Sequence, residues 1–347
     1  MSRNFGLDIM RAFSIWLVIL QHGGIGIPGL VQLKIGGIGV EIFFVLSGFL
    51  IGGIIFRDID KGNSFAQTLK SFWIRRWFRI LPLYYAMLLF TFIFINHSIG
   101  WNILYYVFFL QNNFYGISFC NVSWSLVIEE WFYLFTPVFL LLATRVLKTD
   151  KKVFMSMILF IVFVNIIRLI YVVHGNVPYS GVNSNFPFRF DSLFIGVILS
   201  FVNHKKWKVF EVMCSKKYFA LGFVLFITYL FCFWSLSYPV NSIDSNLFIR
   251  TLGFFILPFT ISLMVPFMST IKINPDKNLL LKGVFWFIST TSILTYSIYL
   301  THSFVYDLKI NLPASIAMTY LISWLIYTFF EKPILNYRNK ITGYKNI

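Results

Sequence analysis

The 347 residues are 58% hydrophobic and only 12% charged, with a formal net charge of +16. This composition excludes an ordinary soluble domain. Repeated apolar runs near 20 residues define an all-α, polytopic membrane helical bundle. About ten spans are predicted, over 5–26, 36–56, 80–96, 122–144, 153–173, 188–203, 218–236, 249–268, 284–305 and 313–331.

The positive charge lies in alternate loops, which argues against nucleic acid as its partner. Arg57, Lys61, Lys70, Arg75, Arg76 and Arg79 fall in 57–79, and Arg145, Lys148, Lys151 and Lys152 in 145–152. Lys205, Lys206, Lys208, Lys216 and Lys217 follow, then Lys272, Lys277 and Lys282, then Lys332, Arg338, Lys340 and Lys345. The intervening loops hold only Lys34 and Lys309. By the positive-inside rule both termini are expected in the cytoplasm. The apolar segment 101–114 is short for a span and would break this alternation, so it is expected to be re-entrant or interfacial. Residues 1–335 read as one membrane domain and 336–347 as a short basic cytoplasmic tail. The start, MSRNFGLDIMRAF, lacks a cleaved signal peptide's features, and helix 1 is expected to be an uncleaved anchor. Cys120, Cys214 and Cys232 indicate neither a disulfide framework nor a zinc site. No metal site is indicated by the scattered histidines and acids.

In the first span, Arg11 and His22 are ionisable groups inside a hydrophobic helix, where such groups usually mark function. Their separation of eleven residues at roughly 100° each is about three turns plus 20°, which puts both on one stripe roughly 16 Å long. Asp8 and Arg11 can pair at i, i+3, with an interfacial orientation lock as the structural alternative. For His22 the structural alternative is a histidine hydrogen-bonded at a helix end. In the second span, Gly48 and Gly52 form a small-xxx-small pair, better explained by close packing than by chemistry. Glu41 on the same span has no obvious partner in the sequence.

The stretch FWIRRWFRILPLYY would present Arg75, Arg76 and Arg79 together on a helical turn, with Pro82 in the first turn of a span. Guanidinium clusters suit phosphate, though an anchor to anionic lipid explains an isolated RRxxR equally well. The fourth span opens VSWSLVIEEWFYLF. Glu129 and Glu130 lie roughly 10 Å below its outer end on different faces. Burial there requires partners or protonation. Trp124 and the neighbouring aromatic rings could line a sugar or acyl site, or form an interfacial belt. In FRFDSLFIG, Arg189 and Asp191 diverge too far along a helix to pair directly. His302 lies toward the outer side of span nine, and Glu331 is expected in a salt bridge at the cytoplasmic surface. The polar residues therefore segregate by depth, with Asp8, Arg11, Arg75, Arg76 and Arg79 on the cytoplasmic side and His22, Glu129, Glu130, Arg189, Asp191 and His302 in the outer half. This fits a transmembrane transfer reaction and equally a transporter.

Seven blocks in order, LDIMRAFSIWLVILQH, GVEIFFVLSGFLI, FWIRRWFRILPLYY, WSLVIEEWFY, RFDSLFIG, YSIYLTH and FEKP, carry a further reading. Nearly end to end, the chain resembles the acyltransferase-3 family of integral membrane O-acyltransferases that modify bacterial surface polysaccharides. The resemblance places the family's helix-1 arginine and histidine on Arg11 and His22. Its RxxR pattern, associated with acyl-CoA, falls on Arg76 and Arg79, with Arg75 beside them. Its carboxylate falls on Glu129. What it implies is transfer of an acetyl group from cytoplasmic acetyl-CoA to a sugar hydroxyl of lipopolysaccharide O-antigen, capsule or exopolysaccharide, at the bacterial inner membrane. Catalysis would rest on His22, Glu129 and Arg11, with Glu129 orienting the imidazole, and CoA binding on Arg75, Arg76 and Arg79. Glu130, Trp124, Asp191 and His302 are candidates for substrate binding. Partners would be membrane lipid and a lipid-linked or nascent glycan. Many similar proteins add an extracytoplasmic hydrolase-like domain. The expectation here is a membrane domain without one, any missing contribution coming from a partner protein. Peptidoglycan, a lipid or a secondary metabolite are alternative acceptors, and a transporter without transferase activity or a membrane scaffold is the alternative of another class.

Overall fold

The computed structural model describes residues 4–23, 33–114, 116, 118–237, 240–275 and 278–342, and among these the regular structure is entirely helical. The principal helices are α1 (Phe5–His22), α2 (Ile35–Asp60), α3 (Phe65–Phe94), α4 (Trp124–Leu147) and α5 (Asp150–Gly175). They continue with α6 (Phe190–His204), α7 (Lys216–Leu236), α8 (Gly253–Met268), α9 (Leu279–Tyr306), α10 (Leu312–Ile326) and α11 (Lys332–Thr342). Among the described residues nine helical stretches are long and apolar enough to cross a membrane, α10 and α11 forming one of them. The chain is a multi-pass membrane protein. The remaining predicted span, 249–268, is the shorter α8 of 16 residues, about 24 Å at 1.5 Å per residue. It packs against α6 and α7 rather than standing at the bundle edge.

Local chemistry sets the helix ends. Asn4 caps α1 by accepting from the Leu7 N–H at 3.1 Å. A reciprocal capping box starts α3: Ser64 Oγ accepts from the Gln67 N–H at 3.2 Å, and Gln67 Oε1 accepts from the Ser64 N–H at 3.0 Å. The cap explains why the third helix begins well before the predicted residue 80 and runs through Pro82, which is inside the helix and not in its first turn. The RRxxR turn is helical, as its spacing requires. Segment 101–114 forms only short helices, Ile103–Val107 and Gln111–Phe114. It is tied to α3 and α4 by Tyr84 Oη donating to Tyr106 O at 2.9 Å and Trp131 Nε1 donating to Phe109 O at 2.9 Å. This is the non-spanning segment that its length anticipated. Residues 336–342 of the expected tail continue α11, while 343–347 lie outside the described residues.

Helices α2 and α6 approach backbone to backbone. A Cβ on Gly48 would overlap the Leu193 carbonyl oxygen, and one on Gly196 the Val45 carbonyl oxygen. The packing account of these glycines therefore holds. Gly48→Ala is expected to destabilise the protein by about 1–3 kcal/mol, the usual range for overpacking. Thermal unfolding in detergent checks this against Gly37→Ala, where a Cβ meets nothing within 4 Å. Equal midpoints for the two variants would refute the close approach.

Candidate functional site

Two cavities lie between the helices, one on each side of Val40 and Tyr299, which border both. The first, about 290 Å³, is lined by Arg11 of α1, Ser47 of α2, Arg76 and Arg79 of α3, and Ser125 and Glu129 of α4. The second, about 480 Å³, is lined by His22, Lys34, Trp124, Tyr179 and Asn183 among others. Arg11 and His22 thus serve different chambers from one helix, as their separation along the stripe requires. Ser125 and Glu129, at i and i+4, share the face turned to the first chamber, while Trp124 reaches the second.

In the first chamber Arg11 Nη1 is held by Asp8 Oδ1 at 2.8 Å, confirming the expected i, i+3 pair. Asp8, itself buried, also accepts from Ser292 Oγ of α9 at 2.7 Å. Glu129 Oε1 accepts from Ser47 Oγ at 2.9 Å. Arg76 stacks over the Tyr133 ring at 5.6 Å from its centroid. Three guanidiniums against Glu129 and the Arg11-bound Asp8 still leave an excess of positive charge at this chamber, suited to an oxyanion. On the wall between chambers, the hydroxyls of Ser125 and Tyr299 share a hydrogen bond at 2.6 Å.

In the second chamber His22 Nδ1 lies 3.0 Å from Val18 O and 3.2 Å from His302 Nε2, and His302 Nδ1 lies 3.1 Å from Ile298 O. Carbonyl oxygens only accept, so both Nδ1 atoms carry protons, an assignment made from the surrounding acceptors. His302 Nε2 is then an acceptor toward His22. The proton on His22 Nδ1 leaves its Nε2 as the unprotonated, basic nitrogen.

Several predicted site residues are redistributed. Glu129 lies in the other chamber from His22, hydrogen-bonded to Ser47, and the side chain in contact with the His22 imidazole is His302. The cause is depth: Glu129 is about 7.5 Å further down α4 than Trp124 at 1.5 Å per residue. His302 is fully buried behind His22 and lines neither chamber, so its contact is with His22 rather than with a substrate. Arg75 is paired with Asp58 of α2 and is not a wall of the first chamber, because it projects to the other side of Arg79 from Arg76. Glu130 faces a separate hollow beside Trp77 and Tyr85, since adjacent helical positions diverge by about 100°. Asp191 is fully buried against Arg168 Nη2 at 2.9 Å and accepts from its own neighbour Ser192 N at 3.0 Å, away from both chambers. Arg189 pairs with Glu41, which supplies the partner that Glu41 lacked in the sequence. Glu331 is buried and accepts from Ser297 Oγ of α9 instead of forming a surface salt bridge. The π turn Tyr327–Glu331 shifts the helix phase and carries it inward. Of the substrate candidates, Trp124 lines the second chamber, whereas Glu130, Asp191 and His302 do not.

Sequence reasoning missed Arg168 as a partner, although a single arginine in the apolar run 153–173 was a signal for a buried acid. It also passed over Lys34, Tyr179 and Asn183, whose meeting with His22 depends on the bundle and has no local pattern.

A family model described as an acyltransferase domain matches residues 4–337. A Staphylococcus aureus (strain COL) protein, provisionally named an O-acetyltransferase, is 29% identical over 94% of this chain and 56% of its own length. The Listeria monocytogenes peptidoglycan O-acetyltransferase OatA is 37% identical over 43% of this chain and 26% of its own length. A Bacillus subtilis protein, provisionally named a peptidoglycan O-acetyltransferase, is 32% identical over 42% of this chain and 25% of its own length. The chain therefore spans about half the length of the Staphylococcus relative, 56%. No solved structure matches.

Proposed function

Since the chain belongs to the acyltransferase-3 family, we propose that it is a membrane O-acetyltransferase working across the partition formed by Val40 and Tyr299. The observation that carries this reading is the pair of chambers, guanidinium-lined on one side and histidine-lined on the other. The positive-inside pattern orients the arginine chamber toward the cytoplasm of a bacterial inner membrane. Arg76 and Arg79 hold the CoA phosphates, and the pantetheine arm runs past Arg11, fixed by Asp8, and through the partition to bring the thioester to His22. In the outer chamber, His22 Nε2 removes the proton from a glycan hydroxyl as its oxygen attacks the thioester carbonyl. The C–S bond breaks, CoA leaves as the thiolate, and the imidazolium returns the proton to it. The Val18 carbonyl and His302 hold the ring in the tautomer this requires. The acceptor is a cell-surface glycan, and the names of the Listeria and Bacillus relatives make peptidoglycan a candidate beside lipopolysaccharide and capsule.

The test is CoA thiol release by the full chain in lipid vesicles, with acetyl-CoA supplied on one face and a glycan acceptor on the other. Release that needs acceptor, His22 and one orientation supports the reading. Movement of acetyl groups or glycan without thiol release would identify a transporter instead. In the same assay Arg76→Gln and Arg79→Gln are expected to raise KM for acetyl-CoA by roughly tenfold or more, as for lost charge-assisted hydrogen bonds. KM for the acceptor should stay near the wild-type value. An unchanged donor KM in both variants would remove these arginines from CoA binding.

A further inference from the structure

The outer chamber holds a charge that proton transfer by His22 does not use. Among the described residues Lys34 is the only Lys, Arg, Asp or Glu side chain on its wall. The lysine precedes α2 in a left-handed conformation, φ 47°, and its Nζ lies 4.2 Å from the centroid of the Tyr179 ring. Asp244, the acid whose charge it feels, spends Oδ1 on the Tyr179 backbone N–H at 2.7 Å. Among the described residues no carboxylate stands at ion-pair distance from Lys34. Burial lowers the pKa of the ammonium from its ordinary value, and Asp244 acts in the opposite direction by less. The remaining polar wall, with Gln21, Asn121, Asn183 and Ser180, is neutral and offers the amide and hydroxyl groups that recognise sugar hydroxyls.

We propose that Lys34 forms an acid-binding subsite, holding a carboxylate or phosphate of the acceptor glycan in the same chamber as His22, so that the acceptor is an acidic sugar. This rests on the reading of His22 as the transfer centre. A partly desolvated ammonium with no described carboxylate at ion-pair distance gains most from an anionic ligand, because the charge-assisted contact forms where water screens it least. A neutral glycan would leave that cation unmatched, which is how such a site discriminates.

Binding, measured without turnover, separates this inference from the transferase reading. The full chain in lipid nanodiscs would be titrated calorimetrically with N-acetylmuramic acid, N-acetylglucosamine 6-phosphate and uncharged N-acetylglucosamine. Both acids are expected to bind more tightly than the neutral sugar, with affinity falling as salt rises. Lys34→Met should weaken acid binding by roughly tenfold or more. Lys34→Arg should retain it, and neither variant should alter binding of the neutral sugar. Binding of the carboxylate sugar alone, or of the phosphate sugar alone, would identify the acid group the acceptor carries. Equal affinity for neutral and acidic sugars, unchanged acid affinity in Lys34→Met, or failure of both acids to bind would overturn the proposal. His22→Ala should keep acid binding while losing thiol release, so each reading fails by its own measurement.

Discussion

His22→Ala is expected to lower acceptor-dependent thiol release by roughly 10²- to 10⁴-fold, the range contributed by a positioned general base. The effect should fall on kcat, because His22 lines the second chamber, where the proposal puts the acceptor, and Arg76 and Arg79, the proposed CoA ligands, lie beyond the partition. His302→Ala should give a smaller fall, also in kcat, since the Val18 carbonyl at 3.0 Å still accepts the Nδ1 proton of His22. His302→Gln, which can again present an acceptor to that proton, should recover part of the loss. Rescue of this kind is not expected of a residue that only fills space. If His22→Ala keeps the wild-type rate, His22 is not in the reaction. If His302→Gln behaves as His302→Ala, the hydrogen bond between the rings does not position the base.

The largest expected loss of stability is at Arg189. Its side chain is fully buried, is paired with Glu41 and lies 4.3 Å from the centroid of Phe254. It also donates to Asn183 O at 3.1 Å and Asn183 Oδ1 at 2.7 Å, which holds one wall of the outer chamber. Arg189→Leu leaves the Glu41 carboxylate buried without its cation, a change that typically costs about 3–5 kcal/mol. The double variant Glu41→Leu/Arg189→Leu should be more stable than Arg189→Leu alone, because it removes the stranded charge together with the pair. Thermal unfolding of the four proteins in detergent closes the cycle. A double variant that loses the sum of the single losses would show that the two groups do not interact.

The resemblance stated from seven sequence blocks and the family match over residues 4–337 agree. The depth of Arg11 relative to His22 was legible because both lie on one helix, where rise and rotation per residue place them. The Asp8–Arg11 pair, the packing role of Gly48 and the divergence of Glu129 from Glu130 were legible for the same reason. The expected pairing of Glu129 with His22 was not, because it needed two helices to meet at one depth.

Membrane class, the approximate spans and the helical RRxxR turn were determined by the sequence itself, since hydropathy and helical periodicity are properties of consecutive residues. Partner choice was decided only by the tertiary structure. Glu41 meets Arg189, Asp191 meets Arg168, His22 meets His302, and Arg76 and Arg79 enter a chamber from which Arg75 is turned away. Each meeting depends on the rotation and depth of one helix against another. Those are set by the backbone contact of α2 with α6 and by the packing of whole helix faces, quantities that no short stretch of the chain encodes.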